Sequence, residues 1–208
     1  MTLPDIYDRV RIRNGFLTLA QMVQLCENGN DIFDPFSTLI SAHAKIGKGN
    51  IFYPGVIIIG TSNHAMEIAD SNIFHSNTLI ESSSGPVYIG SENQFGEGGV
   101  TIKANREGSI IKIENKGRYL GGAAVFGSTF LGHGSQILGA ITADNCHLEQ
   151  GDSWREPSPD ARGGLLKGHG LAKDLTVGTG LVINGSGNFK DSLIEPQSNY
   201  HKIVKQSQ

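Results

Sequence analysis

The chain of 208 residues is 38% hydrophobic, 18% charged and 7% aromatic, which is typical of one folded domain and excludes a disordered chain. Its longest apolar run, 56–59, is far shorter than the roughly 18 residues that a membrane helix needs, and the net charge of −3 gives no field that would draw nucleic acid. Cys26 and Cys146 lack metal-ligand spacing and no secretory signal precedes them, so we expect a cytoplasmic protein with free thiols.

The first predicted element is a short helix within 16–26. Apolar residues recur there at a mostly helical spacing, while Thr18 and Gln21 offer a capping box and Gly29 offers a stop. No other stretch has a helical pattern. We therefore expect an N-terminal segment, 1–37, that contains one short helix packed against the core.

A six-residue repeat of aliphatic and aromatic residues begins at Ile40 and continues over most of the chain. Its members are Ile40, Ile46, Phe52, Ile58, Ile68, Phe74, Ile80, Ile89, Phe95, Val125, Leu131, Ile137, Leu171, Val177 and Ile183. Such a repeat predicts an all-β solenoid, a β-helix over 38–190, in which three units complete a triangular coil and residues about 18 apart stack. A β-sandwich would instead show strands every 8–12 residues or so, with polar and apolar residues alternating.

Three breaks in the period predict loops that leave the coils, near 60–67, 103–119 and 149–164. Solenoids usually carry function in such loops. The third loop holds Trp154, the only tryptophan of the chain, which suits either a protein or ligand contact or packing against the solenoid wall. The last segment, 191–208, is polar and is expected to cross to a neighbouring subunit or to stay disordered.

One dense basic stretch lies within the repeat, between Phe95 and Val125. It consists of Lys103, Arg106, Lys112, Lys116 and Arg118. Because Glu107 and Glu114 dilute its charge, the pattern favours a solvated surface, with a phosphate-binding patch as the alternative.

The repeat resembles the left-handed β-helix hexapeptide-transferase superfamily over 38–190. The sequence Asp-Pro-Phe-Ser-Thr-Leu-Ile at 34–40, followed by Ile46-Gly47, is similar to the entry into the acetyltransferase domain of bacterial N-acetylglucosamine-1-phosphate uridyltransferases. The sequence Gly-Pro-Val-Tyr-Ile-Gly at 85–90 is similar to a strand of γ-class carbonic anhydrases and of small dynactin subunits. The resemblance implies a left-handed parallel β-helix that assembles as a homotrimer, with its sites between subunits.

The zinc site of γ-class carbonic anhydrases is not retained in this sequence. Gly132-His133 matches the start of their Gly-His-x-x-x-x-His motif, but Leu138 and Ile102 stand where the other two histidines would lie. A catalytic zinc needs three protein ligands, so we predict no metal site and no zinc. Histidines that could in principle rebuild a site have no pair at a metal-binding spacing; they are His43, His64, His75, His147 and His169.

The acyltransferases of the superfamily use a histidine at a coil corner as a general base, and the resemblance makes His133 the candidate here. That chemistry needs a neutral imidazole within hydrogen-bond reach of the attacking hydroxyl or amine. The hexapeptide 131–136 is the best formed in the chain and places the ring at a corner between two glycines, although a purely structural role for the ring stays open. His147, with Asp144 and Asn145, could orient the base or bind substrate.

The same resemblance implies a groove for acetyl-CoA or another acyl-CoA, as co-substrate, near 171–188. Lys167 and Lys173 are available there as phosphate partners, although ordinary surface lysines would look the same. The sequence thus favours a CoA-dependent acyltransferase acting on a small hydroxyl- or amino-bearing acceptor such as a sugar. Two alternatives stay open: a non-catalytic scaffold like the γ-carbonic-anhydrase-like or dynactin subunits, with the Trp154 loop as its contact, and a metal-dependent hydratase with rearranged ligands.

Overall fold

The computed structural model describes residues 3–201, which form two α-helices, three 3-10 helices and 22 strands. The helices are α1 (Leu3–Arg13) and α2 (Leu19–Glu27), and the 3-10 helices are Pro159–Ala161, Phe189–Asp191 and Gln197–Asn199. The strands are β1 (Asp31–Ile32), β2 (Leu39–Ile40), β3 (Ala44–Ile46), β4 (Ile51–Phe52), β5 (Ile57–Gly60), β6 (Met66–Ile68), β7 (Ile73–Phe74), β8 (Leu79–Ser82), β9 (Val87–Ile89), β10 (Gln94–Gly96), β11 (Val100–Lys103), β12 (Ile111–Ile113), β13 (Arg118–Leu120), β14 (Ala123–Phe126), β15 (Thr129–Leu131), β16 (Gln136–Leu138), β17 (Ile141–Asp144), β18 (His147–Leu148), β19 (Leu165–Lys173), β20 (Thr176–Val177), β21 (Leu181–Asn188) and β22 (Ile194–Pro196). No helix within 3–201 is long and apolar enough to cross a membrane.

These strands build three faces, each a ladder of parallel pairs. Face one contains β1, β4, β7, β10, β13, β16 and the start of β19; face two contains β2, β5, β8, β11, β14, β17 and the end of β19; face three contains β3, β6, β9, β12, β15, β18 and β20. Strand β21 pairs with residues 165–171 of β19, and β22 adds to β21 in the antiparallel direction. The chain is thus a parallel β-helix, as the six-residue repeat predicts, and it has the left-handed form that the resemblance to the hexapeptide-transferase superfamily implies.

Each passage over the three faces makes one coil, so coil 1 is β1–β3, coil 2 is β4–β6, and so on to coil 6 (β16–β18) and coil 7 (β19 and β20). Between coils the chain turns from face three back to face one, and we call this edge the three-to-one corner. The predicted stacking of residues 18 apart holds between Leu39 and Ile57, but Ile51 pairs with Ile73, 22 residues on. The predicted uniform spacing of 18 residues is therefore wrong between coils 2 and 3, because the turns of this coil contain extra residues.

Side chains of the repeat fill the interior in continuous columns. On face one the rings of Phe52, Phe74 and Phe95 stack in parallel, with centroids 5.0 Å apart at each step, and Tyr119 continues the stack at 5.3 Å. Face two contributes a column of fully buried aliphatic residues: Ile40, Ile58, Ile80, Ile102, Val125, Ala143 and Ala172. Because each coil buries its column only against its neighbours, stability depends on coil-to-coil contacts along the axis.

A ladder of buried asparagines runs inside the three-to-one corner. The ladder consists of Asn30, Asn50, Asn72 and Asn93, one for each successive coil. The side-chain oxygen of each of the first three accepts hydrogen bonds from the backbone N–H and the side-chain N–H of the next asparagine. The oxygen of Asn93 accepts from the backbone N–H of Gly117 at 2.8 Å. The ladder thereby satisfies backbone donors that the tight turns would otherwise leave unpaired inside the protein.

The N-terminal end of the solenoid carries two helices where the sequence predicted one. Helix α2 has the predicted capping box of Thr18 and Gln21. Helix α1 was missed because it docks through a charged residue: the guanidinium of Arg11 is buried and donates to the carbonyls of Leu17, Pro35 and Thr38. A hydrophobic pattern does not reveal this kind of docking.

Loops leave the coils at 61–65, at 104–110 and at 149–164. The middle excursion is shorter than the predicted 103–119, because Ile111 and Ile113 are buried in β12 and Arg118 begins β13. The C-terminal segment as far as residue 201 folds back on its own chain, where the side-chain amide of Gln197 is buried and donates to the carbonyl of Gly163 at 2.8 Å. Over 191–201 the expected crossing or disorder was therefore wrong; 202–208 lie outside the described residues.

Candidate functional site

His133 lies in the turn between β15 and β16, at the three-to-one corner of coil 5, and is half-buried. The segment that follows β18 packs directly on this turn, and the N–H of Gly151 donates to the carbonyl of His133 at 2.9 Å. A Cβ at Gly134 would lie 2.0 Å from the carbonyl oxygen of Asp152, and Gly134 has a φ of +70°. The flanking glycine is therefore required by close backbone approach, which brings the next coil beside the imidazole.

An open groove of about 650 Å³ surrounds the imidazole at this corner. Its lining is polar and consists of Glu114, Asn115, His133, Glu149, Gln150, Gly151 and Thr179. The carboxylate of Glu114 accepts the backbone N–H of His133 at 3.3 Å and pairs with Lys112 at 3.1 Å. The arrangement presents one imidazole and two carboxylates to a ligand, which are the groups that general acid–base chemistry uses.

His147 lies on the outer surface of β18, next to the same groove. Its Nε2 lies 3.1 Å from Oε1 of Glu149, and its ring packs on that of Phe130 with centroids 4.7 Å apart. Glu149 therefore connects the two candidate histidines, because it contacts His147 and also lines the groove of His133. The sequence analysis missed Glu149; its signal was the two-residue spacing from His147, which places both side chains on one side of an extended chain.

The other residues suggested as helpers of His133 lie elsewhere. Asp144 is on face two and pairs with Arg106 at 3.0 Å, and Asn145 follows it in the turn toward face three, where its oxygen accepts the N–H of Ser128 at 2.8 Å. The suggestion that Asp144 and Asn145 orient the base was therefore wrong.

The two candidate phosphate partners lie at opposite ends of β19. Lys167 is on face one, half-buried, with its ammonium 5.6 Å from the ring centroid of Tyr200. Lys173 is exposed on face two and pairs in register with Asp144. Strand β19 turns from face one to face two between these residues, so the structure places the two lysines on different faces of the solenoid.

The remaining histidines and the cysteines are scattered over the solenoid. His75 stacks on Tyr53 at 4.6 Å and sits over Gly96, where a Cβ would clash with its ring, while His43 and His169 are exposed. The buried thiol of Cys146 donates to a carbonyl, and burial raises its pKa. Within 3–201 no three histidine, cysteine or acidic side chains are grouped so that they could hold a metal ion.

The loop at 149–164 folds back over the outside of face one. The ring of Trp154 is half-buried, and the guanidinium carbons of Arg118 and Arg155 lie 4.7 and 4.9 Å from its centroid. The guanidinium of Arg162 donates twice to the carbonyl of Glu156, at 2.8 and 2.6 Å, which fixes the loop internally. Trp154 thus packs on the solenoid wall through Arg118, and a separate cleft remains between this loop and face one.

No family model matches this chain. Over 81 residues, 38% of its length, the chain is 31% identical to the Bifunctional protein GlmU of Bacillus velezensis, of whose length it spans only 17%. Among solved structures it is similar to LpxA from Acinetobacter baumannii, with 14% identity and a TM-score of 0.42 over 82% of this chain and 73% of that one. A UDP-N-acetylglucosamine acyltransferase of Francisella novicida gives 14% identity and a TM-score of 0.39 over 84% and 75% of the two chains.

Proposed function

We propose that this β-helix is a CoA-dependent acyltransferase that modifies a hydroxyl or amino group of a small acceptor, such as a sugar, with His133 as the general base. The observation that carries the proposal is the half-buried imidazole at a coil corner, open to a groove that also contains Glu114 and Glu149. The resemblance of the repeat to hexapeptide acyltransferases supports the same reaction class.

In the proposed reaction the imidazole of His133 takes the proton of the acceptor as its oxygen or nitrogen attacks the thioester carbonyl. The new acyl bond forms as the carbon–sulfur bond breaks, and the proton passes from the imidazolium to the leaving thiolate. Glu114 holds the backbone of the turn through the N–H of His133, so the ring is presented at a fixed place. Such positioning contributes to the rate because a base that is held beside the bound acceptor needs no separate encounter with it.

The groove composition supports a polyhydroxylated acceptor. Glu114 and Glu149 supply carboxylate oxygens, and Asn115, Gln150 and Thr179 supply groups that can both donate and accept hydrogen bonds. Several hydroxyl groups on one small molecule could each find a partner there. We propose that His147 acts indirectly, by holding the Glu149 carboxylate through the 3.1 Å contact.

From the resemblance to the hexapeptide-transferase superfamily we propose that the protein is a cytoplasmic homotrimer with the groove at a subunit boundary. We also propose that Lys167 and Lys173 bind the phosphates of acyl-CoA. Because they lie on different faces, each would contact a different part of that molecule.

The test is release of free CoA thiol from acetyl-CoA, followed across a panel of sugar and amino acceptors. Once a turnover is found, His133→Ala is expected to lower kcat by about 10²–10⁴-fold, the usual contribution of a general base. His169→Ala is the matched control, because this exposed histidine lies in β19, outside the groove. Equal rates for His133→Ala and the wild type would overturn the assignment of the base, and an absence of both turnover and acetyl-CoA binding would favour the scaffold alternative.

A further inference from the structure

The basic stretch of the sequence divides into two groups in the folded chain. Lys103, Arg106 and Lys112 are neutralised by carboxylates at 3.2, 3.0 and 3.1 Å. Within residues 3–201, Lys116 and Arg118 form no ion pair. The uncompensated charge of the stretch is therefore concentrated where the loop at 149–164 meets face one.

That loop adds a third uncompensated cation. Arg155 forms no ion pair in the described part of the chain, and it lies with Arg118 against the ring of Trp154. The Nε of Arg118 is buried and has no hydrogen-bond partner among the described residues. The indole attracts both cations, but it offers their N–H groups no conventional hydrogen-bond acceptor. The hydrogen-bonding capacity of the two guanidinium groups is therefore largely unused.

The cleft beside this loop, which we call the Trp154 cleft, has a volume of about 340 Å³. Its walls include Ser71, Glu92, Gln94, Lys116, Trp154 and Arg155. Arg118 contacts the same indole but does not line the cleft. Two cations in the cleft and a third against its tryptophan thus stand against one lining carboxylate, Glu92, and this excess matches the charge of a phosphate monoester, roughly −1.5 to −2 at neutral pH.

Three turn residues that line the cleft have a left-handed backbone. Ser71, Glu92 and Lys116 occupy equivalent turn positions with φ of +59°, +60° and +58°. The equivalent positions outside the cleft are Gly49 and Gly134, and glycine is the residue that adopts this conformation without strain. At this corner the side chains kept in that conformation are therefore the ones that line the cleft, although Asn77, Asn145 and Asp174 adopt the same conformation at other turns.

From this combination we infer that the Trp154 cleft binds the phosphoryl group of a small phosphate-bearing molecule, with Arg155 and Lys116 as its direct partners. The guanidinium of Arg155 can donate two parallel hydrogen bonds to phosphate oxygens, Lys116 adds a point charge, and Ser71 and Gln94 can donate to the remaining oxygens. Arg118 acts as a positioning residue, because its guanidinium packs on the Trp154 ring without lining the cleft. The inference is independent of the proposed acyl transfer.

The single tryptophan of the chain makes the site directly observable. Inorganic phosphate is titrated into the full-length protein at constant ionic strength while the emission of Trp154 is followed, with a hexose phosphate and the uncharged hexose as parallel arms. We expect a saturable change with both phosphates and none with the hexose. Tighter binding of the hexose phosphate than of phosphate would show that the sugar part also contacts the cleft.

Arg155→Gln is expected to weaken phosphate binding by about tenfold or more, the usual effect of losing charge-assisted hydrogen bonds. Because this variant also changes the surroundings of the reporter, its affinity is measured by phosphorus NMR. Arg13→Gln is the matched control: it removes the same charge from an exposed site on α1 and should leave the affinity unchanged. No saturable change with either phosphate, or equal weakening by the two variants, would overturn the inference.

Discussion

The three-to-one corner differs between the first four coils and the later ones. Up to Asn93 the corner is a regular ladder of buried amides. At the next step Gly117 replaces the asparagine, and its missing side chain leaves room for the hydroxyl of Tyr119, which shares a 3.0 Å hydrogen bond with Ser135. The groove of His133 lies beside this second region. The regular part supplies stability, and the candidate base lies where the ladder has ended.

The largest effect is expected from breaking the ladder in its middle. Asn72→Leu removes a side chain that makes four hydrogen bonds, to Asn50, Asn93 and Ala69, and leaves their partners buried without replacement. We expect the free energy of unfolding to fall by about 3 kcal/mol or more, given roughly 1–3 kcal/mol for each unsatisfied group. Chemical denaturation measures this change.

Asn63→Leu is the control for the ladder prediction, because Asn63 is exposed in the loop at 61–65. Its effect should stay within about 0.5 kcal/mol, as is usual for surface substitutions. If Asn72→Leu and Asn63→Leu unfolded at the same denaturant concentration, Asn72 would contribute no more to stability than an ordinary surface asparagine, and the ladder prediction would be wrong.

A smaller effect is expected at the point where the ladder ends. Tyr119→Phe keeps the ring in the aromatic stack but removes the hydroxyl that pairs with Ser135. We expect a loss of about 0.5–1.5 kcal/mol of unfolding free energy, the usual net contribution of one hydrogen bond, measured by urea denaturation. The partly exposed Tyr88 is the control, and Tyr88→Phe should be nearly neutral. A Tyr119→Phe protein as stable as the wild type would contradict the role given to this hydroxyl.

The smallest effect is expected at Asp160, an exposed residue of the loop at 149–164. The pKa of Asp160 is lowered by the hydroxyl and backbone N–H of Ser198, at 2.7 and 2.8 Å. A lowered carboxyl pKa stabilises the fold above the unfolded value of about 3.9, and this contribution is lost as pH falls through the folded pKa. Asp160→Asn should therefore lower Tm slightly at neutral pH, and the difference from wild type should shrink in acid. A difference that stays constant as the pH falls would contradict this account.

The sequence predicted the repeating part of the molecule better than its loops. Ile40, Phe52 and Phe74 occupy the interior columns as the six-residue period requires, because that period is a local property of the chain. The contact of Trp154 with Arg118 joins residues from different coils, and the length of a loop does not determine where it folds back. The placement of Glu149 between His133 and His147 depends in the same way on how neighbouring coils stack.

The Asn ladder also gives the solenoid a direction. Every side-chain oxygen in it accepts from the following coil, so the amide dipoles are aligned head to tail and each polarises the next. A coil inserted without an asparagine at this corner would interrupt the series, whereas a duplicate of coil 3 would extend it by one step. The first half of the protein is therefore a module that can be lengthened in units of one coil, each beginning with its own asparagine.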